Sequence, residues 1–393
     1  MTQHRIPAVY MRGGTSKGVF FLAGDLPADP VLRDRLLLRV VGSPDPYGKH
    51  IDGMGGATSS TSKVVLISKS TRPDCDVDYL YGGLAVDKAT VDWSGNCGNL
   101  TAAVGPFAIA QGLVDAPRDG WATVRIWQAN IGKKIVAHVQ MRDGGVLEEG
   151  DFELDGVTFP AAEIKLEFID PGADDGEGEG GAMLPTGHVT DRLEVPSVGS
   201  LEATFINAGL PTIFVAAESL GFRGTELQQD INPHPEVLAR IEKIRTHGAV
   251  LMGLAATPED AAKRAHTPKL SFVARSQDYT ASDGRIVKAE NIDLLARVFS
   301  MGPLHHAMTG TGAVAIAAAV AIPGTIPNRL ARKRPDGWVR FGHPSGTLNV
   351  GAEAHEENGR WSICKAMMSR SARRLMEGWV LVPECLGGRD ESV

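Results

Sequence analysis

The sequence predicts a mixed α/β protein (α+β) built from two similar halves. Many short apolar segments are separated by glycine and proline, of which the chain has 46 and 23. That arrangement is typical of short strands joined by turns and does not fit a helical bundle. A weak internal repeat, and an acidic glycine-rich segment near the middle of the 393 residues, indicate two units.

The predicted elements follow the apolar segments in order. The predicted strands cover residues 6–12, 18–23, 63–68, 77–86, 122–130, 133–141, 202–209, 212–217, 269–275, 338–354 and 377–383. The predicted helices cover residues 29–41, 99–112, 234–247, 258–264, 288–299 and 311–321.

The internal repeat lies in two pairs of segments. Residues 97–114 (CGNLTAAVGPFAIAQGLV) align with residues 309–326 (TGTGAVAIAAAVAIPGTI). Each has a glycine after its first residue, then a helix of small apolar residues, then a glycine at the same offset. Upstream, residues 12–21 (RGGTSKGVFF) resemble residues 207–216 (NAGLPTIFVA), a small-residue loop before an apolar strand. Two matches in the same order favour an internal duplication.

An acidic segment predicts the boundary between the two units. Residues 170–187 (DPGADDGEGEGGAMLPTG) are almost free of large apolar side chains and read as an exposed loop or linker. We therefore predict an N-terminal domain at 1–187 and a C-terminal domain at 188–393. The last strand is free to return to the first domain.

Composition and charge exclude several classes of protein. The net charge of −7 and pI of about 5.9 argue against a nucleic-acid binder, whereas a small anionic substrate can still bind a local positive pocket. The four cysteines form no CxxC and fit no zinc pattern, so we predict no metal site. The first residues lack an apolar signal core, and the longest apolar run, 313–322, is too short to span a bilayer. We expect a cytoplasmic protein with reduced thiols that does not bind membranes.

Cys97 is the first candidate for chemistry. It lies in SGNCGN (94–99), a loop of small polar residues just before the predicted helix 99–112. Free N–H groups and the helix dipole at such a position lower the pKa of a thiol and bind anions. The alternative is a buried, inert cysteine, the commonest role of a free thiol. Flanking glycines favour the functional interpretation, because they let the backbone approach a ligand closely.

Two further loops contain hydroxyl groups suited to a carboxylate. Thr309 stands where the repeat would place a second Cys97, and the G-x-G-x-x-A spacing after it lacks the preceding strand and the later acidic residue that NAD binding requires. The loop RGGTSKG (12–18) does not have the P-loop order, so ATP binding is not predicted. Its backbone N–H groups, with Thr15, Ser16 and the positive charge of Lys17, could hold a carboxylate, although an ordinary tight turn explains the loop equally well.

Lys63 and His343 are weaker candidates on sequence alone. Lys63 begins a predicted apolar strand after a run of hydroxyl residues, and desolvation there would lower its pKa and make it a general base near neutrality. The alternative is a strand-end lysine that extends to water. His343, in the turn FGHPSG (341–346), could orient a carboxylate or simply satisfy the turn.

Taken together, the motifs resemble those of a known family. RGGTSKGVFF, SPDPYGKHIDGMGGATSSTSK, DWSGNCGN, MGPLHHAMTGTGAVAIA, RFGHPSGTL and SRSARRLMEGWV occur in order over nearly the whole chain. They resemble the 2-methylaconitate cis-trans isomerase (PrpF-type) family, which has the diaminopimelate epimerase fold. The resemblance implies two pseudo-symmetric domains, each a mostly antiparallel sheet wrapped around a central helix, with the active site in the cleft between them.

The resemblance also implies residue roles. Diaminopimelate epimerases use two cysteines at paired helix starts, and here the second position matches Thr309, which argues against a two-thiol racemase. The isomerases use a lysine with the remaining cysteine, so Lys63 becomes the leading base and Cys97 its partner. No cofactor or metal is implied. The candidate substrate contacts are Thr15, Ser16, Lys17, Ser60, Asn96, Gly98, Asn99, Thr309, Gly310, Thr311, His343 and Ser345.

The implied substrate is an unsaturated tricarboxylate, 2-methylaconitate or aconitate, in the methylcitrate pathway of propionate breakdown. Three alternatives remain open. The chain could be a 4-oxalomesaconate tautomerase, whose family shares the lysine and cysteine motifs. It could be a non-catalytic accessory protein coupled to an aconitase-type dehydratase, or a cysteine hydrolase, for which no histidine partner is evident. A homodimer is a further expectation.

Overall fold

The structure is a computed structural model that describes residues 3–172, 182–334 and 337–383. Half of the predicted linker, residues 173–181, lies outside the described residues, as does the fourth cysteine, Cys385. None of the helices in the described ranges is long and apolar enough to cross a membrane.

Strands dominate the described chain. Those of the N-terminal half are β1 (Gln3–Gly13), β2 (Ser16–Leu22), β3 (Lys63–Lys69), β4 (Val77–Leu84), β5 (Val91–Asp92), β6 (Gly120–Gln128), β7 (Lys133–Arg142), β8 (Gly145–Val146) and β9 (Ile164–Ile169). The later strands are β10 (Asp191–Val195), β11 (Gly199–Ala208), β12 (Leu210–Ala216), β13 (Lys269–Arg275), β14 (Tyr279–Thr280), β15 (Ile286–Val287), β16 (Leu294–Phe299), β17 (Trp338–His343), β18 (Gly346–Glu357), β19 (Arg360–Arg370) and β20 (Ala372–Pro383). The helices are α1 (Pro30–Val41), α2 (Thr101–Ala110), α3 (Gln228–Ile231), α4 (Pro235–Leu251), α5 (Pro258–Ala262), α6 (Gly310–Ala321) and α7 (Ile326–Leu330).

The two halves have the same strand order. In the first half the order is β20-β1-β2-β3-β4-β6-β7-β9, with β2–β3 and β4–β6 parallel and the other neighbours antiparallel. In the second it is β10-β11-β12-β13-β16-β17-β18-β19, with parallel pairs at the same two places. The antiparallel pair β9–β19 joins the halves. The chain therefore has two pseudo-symmetric α/β units, as the repeat predicts.

The last strand belongs to the first sheet. β20 pairs with β1 along its length, from Gln3 opposite Pro383 to Gly13 opposite Ala372. In the second half, β10 takes the corresponding place beside β11.

Each sheet wraps around one buried helix. Residues 101–108 of α2 and 310–319 of α6 are all buried. A helix that is apolar on every side must be enclosed on every side, and small residues allow that enclosure. A Cβ on Gly105 of α2 would lie 2.9 Å from the Val139 side chain of β7. The composition of the repeat thus follows from helices packed closely inside their sheets.

Two sequence predictions are wrong at the level of single elements. Residues 288–299 are not a helix: a 3-10 turn over Ala289–Asn291 leads into β16, all six of whose residues are buried. A short continuous apolar run fits a buried strand as well as a helix, because it contains no periodicity to separate them. Residues 338–354 form two strands, β17 and β18, which reverse direction at residues 344–345. β9, β10 and β19 were not predicted.

Candidate active site

The starts of α2 and α6 meet between the two halves. A Cβ added to Gly98 would lie 2.8 Å from the backbone nitrogen of Thr311, and one added to Gly310 would lie 2.6 Å from the backbone nitrogen of Asn99. Real Cβ atoms are not found that close to backbone, so only glycine allows the two loops this contact. Two helix N-termini thereby bring their free N–H groups, and the positive ends of their dipoles, to one place.

Cys97 is held just before α2 by its own carbonyl. That oxygen accepts hydrogen bonds from the Thr101 backbone nitrogen and hydroxyl, both at 3.0 Å, and from the Tyr79 hydroxyl at 3.2 Å. The residue is 7% exposed. With its backbone fixed by three donors, the sulfur has a defined position beside the helix start.

Lys63, the first residue of β3, is buried beside this sulfur. It is 7% exposed, its Nζ donates to the Tyr81 hydroxyl at 2.9 Å, and the Cys97 side chain is near enough to raise its pKa. The expectation that Lys63 has a lowered pKa is wrong. Burial does act in that direction, but the Cys97 sulfur and the Tyr81 hydroxyl outweigh it and raise the pKa. At neutral pH the amine therefore carries a proton unless it passes that proton to a neighbour.

Asn99 connects three parts of the site. Its Nδ2 donates to the Thr15 hydroxyl at 3.0 Å and to the Met308 carbonyl at 3.4 Å, and its Oδ1 accepts from Arg370 Nε at 3.0 Å. Arg370 is 2% exposed, and burial lowers its pKa to about 10, so it is still a cation at neutral pH. One asparagine thus fixes the β1–β2 turn, the loop before α6 and a buried positive charge relative to α2.

Other predicted contacts line a cavity of about 720 Å³. Thr15, Ser16, Lys17 and Ser60 all contribute to its wall. The backbone nitrogen of Lys17 donates to the Ser60 carbonyl at 3.0 Å, which fixes the two loops together, while the Lys17 ammonium lies 5.5 Å from the centre of the Tyr10 ring.

Several predicted contacts already use their polar atoms within the protein. Thr309 caps α6, its hydroxyl accepting from the Gly312 nitrogen at 3.1 Å. Burial lowers the pKa of His343 to about 3, and its neutral ring accepts from the Ser345 nitrogen at 3.2 Å. The Ser345 hydroxyl donates to the His306 carbonyl. His343 and Ser345 therefore organise the β17–β18 turn in this structure.

Asn96 differs from these residues because its amide is unpaired. It is 1% exposed, and neither its oxygen nor its nitrogen has a hydrogen-bond partner in the described part of the chain. Leaving both atoms unpaired in the interior is costly. A carboxylate beside Cys97 could accept from Nδ2, whereas Oδ1 would need a ligand group that donates. Thr311, at the facing helix start, is likewise buried, at 1% exposed.

Sequence reasoning missed three residues at or next to the site. Tyr81 comes from strand β4 and Arg370 from strand β19, and only the fold brings Tyr81 to Lys63 and Arg370 to Asn99. Lys269 could have been found by extending the repeat, because it begins β13 as Lys63 begins β3. Across residues 3–172, 182–334 and 337–383, no group of three or more His, Cys, Asp or Glu could hold a metal ion.

The arrangement defines the class of protein. Two pseudo-symmetric sheets, each around a buried helix, with the helix starts in contact between them, form the epimerase-like fold. The solved structure of a hydroxyproline epimerase from Agrobacterium vitis shares it, with a TM-score of 0.56 at 13% identity over 98% of this chain and 94% of that one.

The chain belongs to the PrpF family, whose model (PrpF protein) matches residues 3–383. It is 63% identical over 388 residues to the 2-methyl-aconitate isomerase of Cupriavidus necator, and this alignment covers 97% of this chain and 98% of the relative. The solved structure of a methylitaconate-delta-isomerase is 39% identical with a TM-score of 0.79, and covers 100% of both chains.

Proposed function

We propose that this protein is a cofactor-independent isomerase of unsaturated tricarboxylates, and that it interconverts the cis and trans forms of 2-methylaconitate or aconitate. The observation that carries the proposal is the buried pair of Lys63 and Cys97 beside two converging helix starts. The high identity to a 2-methyl-aconitate isomerase over 97% of this chain supports the choice of substrate.

The reaction proceeds by removal and return of one proton. The reactive form of the pair is the one in which the nitrogen has given its proton to a Cys97 thiolate, so that Lys63 is a neutral amine and Cys97 a neutral thiol. That amine takes a proton from the substrate methylene carbon, and the C–H electron pair delocalises through the double bond into a carboxylate. The former double bond gains single-bond character and rotates. The new Lys63 ammonium then returns its proton to carbon, and the double bond re-forms in the other geometry.

The site must stabilise the negative charge that accumulates on the delocalised anion. Preorganised N–H donors and buried cations in a water-poor site supply this stabilisation most strongly. The backbone N–H groups at Gly98, Asn99, Gly310 and Thr311 converge at the two helix starts, and Arg370 adds a buried positive charge. The unpaired Nδ2 of Asn96 supports its role as a donor to a substrate carboxylate.

A direct substrate comparison tests the proposal. The purified protein alone is expected to convert trans-aconitate and 2-methylaconitate between their isomers, with solvent deuterium entering the carbon-bound position. Conversion of 4-oxalomesaconate in preference to both acids would instead assign it to the tautomerase alternative. Failure on all three acids would leave the accessory role beside an aconitase-type dehydratase. A cytoplasmic location, a homodimer and that coupling stay predictions from the sequence.

Replacing Tyr81 with phenylalanine is expected to lower kcat about tenfold with little change in KM, a loss of about 1.4 kcal/mol in the transition state. The change removes the 2.9 Å hydrogen bond that orients the Lys63 amine while keeping the ring that packs below it. Steady-state kinetics on the preferred acid measures the effect. Tyr47→Phe, at a side chain that is 83% exposed, is the control. Unchanged kcat in Tyr81→Phe would mean that the amine needs no orienting partner.

A further inference from the structure

A second buried lysine lies in the site and has no role in the reaction described above. Lys269 is 2% exposed. Its Nζ donates to the Ser300 hydroxyl at 3.2 Å and lies 3.5 Å from the His266 carbonyl oxygen, so both hydrogen-bond partners are neutral. A buried ammonium without a close negative partner is costly, and an anionic ligand offsets that cost.

The pseudo-symmetry explains why this lysine reaches the site. Lys63 is the first residue of β3, which runs parallel to β2, and Lys269 is the first residue of β13, which runs parallel to β12. The same topological position in each half therefore carries an amine. Each half contributes one lysine and one helix start to the region between the halves.

A cavity lies next to Lys269. Its volume is about 590 Å³, and Ser300, whose hydroxyl accepts from Lys269, is part of its wall. Lys269 therefore lies one hydrogen-bond partner away from this cavity. Lys63 is near enough to Lys269 for its positive charge to lower the Lys269 pKa.

Burial and the charges around Lys269 lower the pKa of its amine. Burial, and then the positive charge of Lys63, lower its pKa to about 7. Among the other groups that face Lys269, Cys97 and Asp92 favour its charged form and Arg245 opposes it. The neighbouring His266 and His305 are kept neutral by burial. Asp92 is itself engaged by Ser94, whose nitrogen and hydroxyl donate to it at 2.8 and 2.6 Å.

We propose that Lys269 binds a carboxylate of the substrate and takes up a proton as it does so. The inference rests on the proposed function, since it assigns the amine to the tricarboxylate of that reaction. A carboxylate placed between Lys269 and Lys63 offsets the repulsion between the two ammonium groups and replaces the missing negative partner. Lys269 is then a substrate-binding residue, distinct from the Lys63–Cys97 pair that transfers the substrate proton.

Calorimetry with tricarballylate, a saturated tricarboxylate with no double bond to isomerise, tests this directly. Titration in two buffers of different ionisation enthalpy gives the protons taken up per ligand bound. Since burial lowers the Lys269 pKa to about 7, we expect uptake that approaches one proton at pH 8 and is much smaller at pH 6. Lys269→Met is expected to abolish the uptake and weaken binding between about 10- and 100-fold. Lys269→Arg keeps a permanent cation, so it should bind tricarballylate without uptake.

The control is Lys263→Met, which removes an exposed lysine paired with Asp260 and should leave affinity and proton uptake as in the wild type. Binding without proton uptake in the wild type, or uptake that persists in Lys269→Met, would overturn the inference while leaving the isomerase proposal intact. If proton uptake occurs as expected but the protein converts neither acid, the result would support carboxylate binding by Lys269 and reject the isomerase proposal. Absence of any tricarballylate binding would overturn the inference, while the isomerase proposal would still be decided by conversion of the unsaturated acids.

A measurement without ligand provides a second test. Because the Lys269 pKa is lower in the folded state than its ordinary value of 10.5, the unfolded chain binds more protons between pH 7 and 10.5. This residue therefore makes the free energy of unfolding rise with pH across that window. Urea unfolding should show a smaller rise in Lys269→Met than in wild type, and an unchanged slope would contradict the buried, titrating amine.

Discussion

Replacing Lys63 with methionine is expected to lower kcat by at least about 10⁴-fold and to stop exchange of the substrate proton with deuterium. Methionine keeps the volume and the apolar stem of the side chain but removes the only atom that accepts and returns the proton in the proposed reaction. General acid–base groups contribute about 10² to 10⁴ to rate, and Lys63 performs both the abstraction and the return. The measurement is kcat with each acid, together with the deuterium content of recovered substrate.

Three further variants make the Lys63 result specific. Lys69→Met changes the exposed lysine at the opposite end of the same strand and should leave kcat near that of the wild type. Cys97→Ser and Cys97→Ala should lose less than Lys63→Met, because the sulfur assists the amine rather than contacting the carbon-bound proton. Near-normal deuterium exchange in Lys63→Met would eliminate the one-base mechanism.

Replacing Gly310 with alanine is expected to destabilise the protein by about 3 kcal/mol and to abolish most of its turnover. The added Cβ would overlap the backbone carbonyl carbon of Gly98 and lie 2.6 Å from the nitrogen of Asn99. Backbone atoms of two helix starts cannot rotate aside as a side chain can, so the loops must separate. That separation would move the N–H groups away from the substrate.

The control for Gly310→Ala is the same substitution at a glycine that has free space around it. Gly24 has nothing within 4 Å of an added Cβ, so Gly24→Ala should change neither stability nor kcat. Urea unfolding and steady-state kinetics give the two quantities. If Gly310→Ala kept wild-type stability and turnover, close contact of the two helix starts would not be needed for either.

The sequence predicted the general architecture because the duplication left a readable pattern in it. The small-residue helices α2 and α6 are recognisable since a helix enclosed by a sheet needs alanine and glycine on every side. The segment that forms β16 was assigned to a helix because six consecutive buried residues carry no alternation. The mostly buried strands β3, β12 and β13 were predicted as strands, so the misassignment of β16 is an exception among the buried strands.

The chemistry was only partly predictable, because long-range contacts decide it. The direction of the Lys63 pKa depends on Cys97 and Tyr81, which lie 34 and 18 residues further along the chain. A sequence gives the burial of a strand-end lysine but not the sulfur and the hydroxyl that reverse the effect of burial. Arg370 reaches Asn99 across 271 residues of chain.

The pairing of β20 with β1 has a consequence for how the protein is made. Because Pro383 lies opposite Gln3, the outermost strand of the first sheet leaves the ribosome only after the entire second half has been synthesised. The first half therefore cannot complete its native sheet during translation, and a gene fragment that ends at residue 187 would encode a sheet with an exposed edge prone to self-association. Joining the ends with a short linker and opening the chain elsewhere would place that strand beside its partner from the beginning of synthesis.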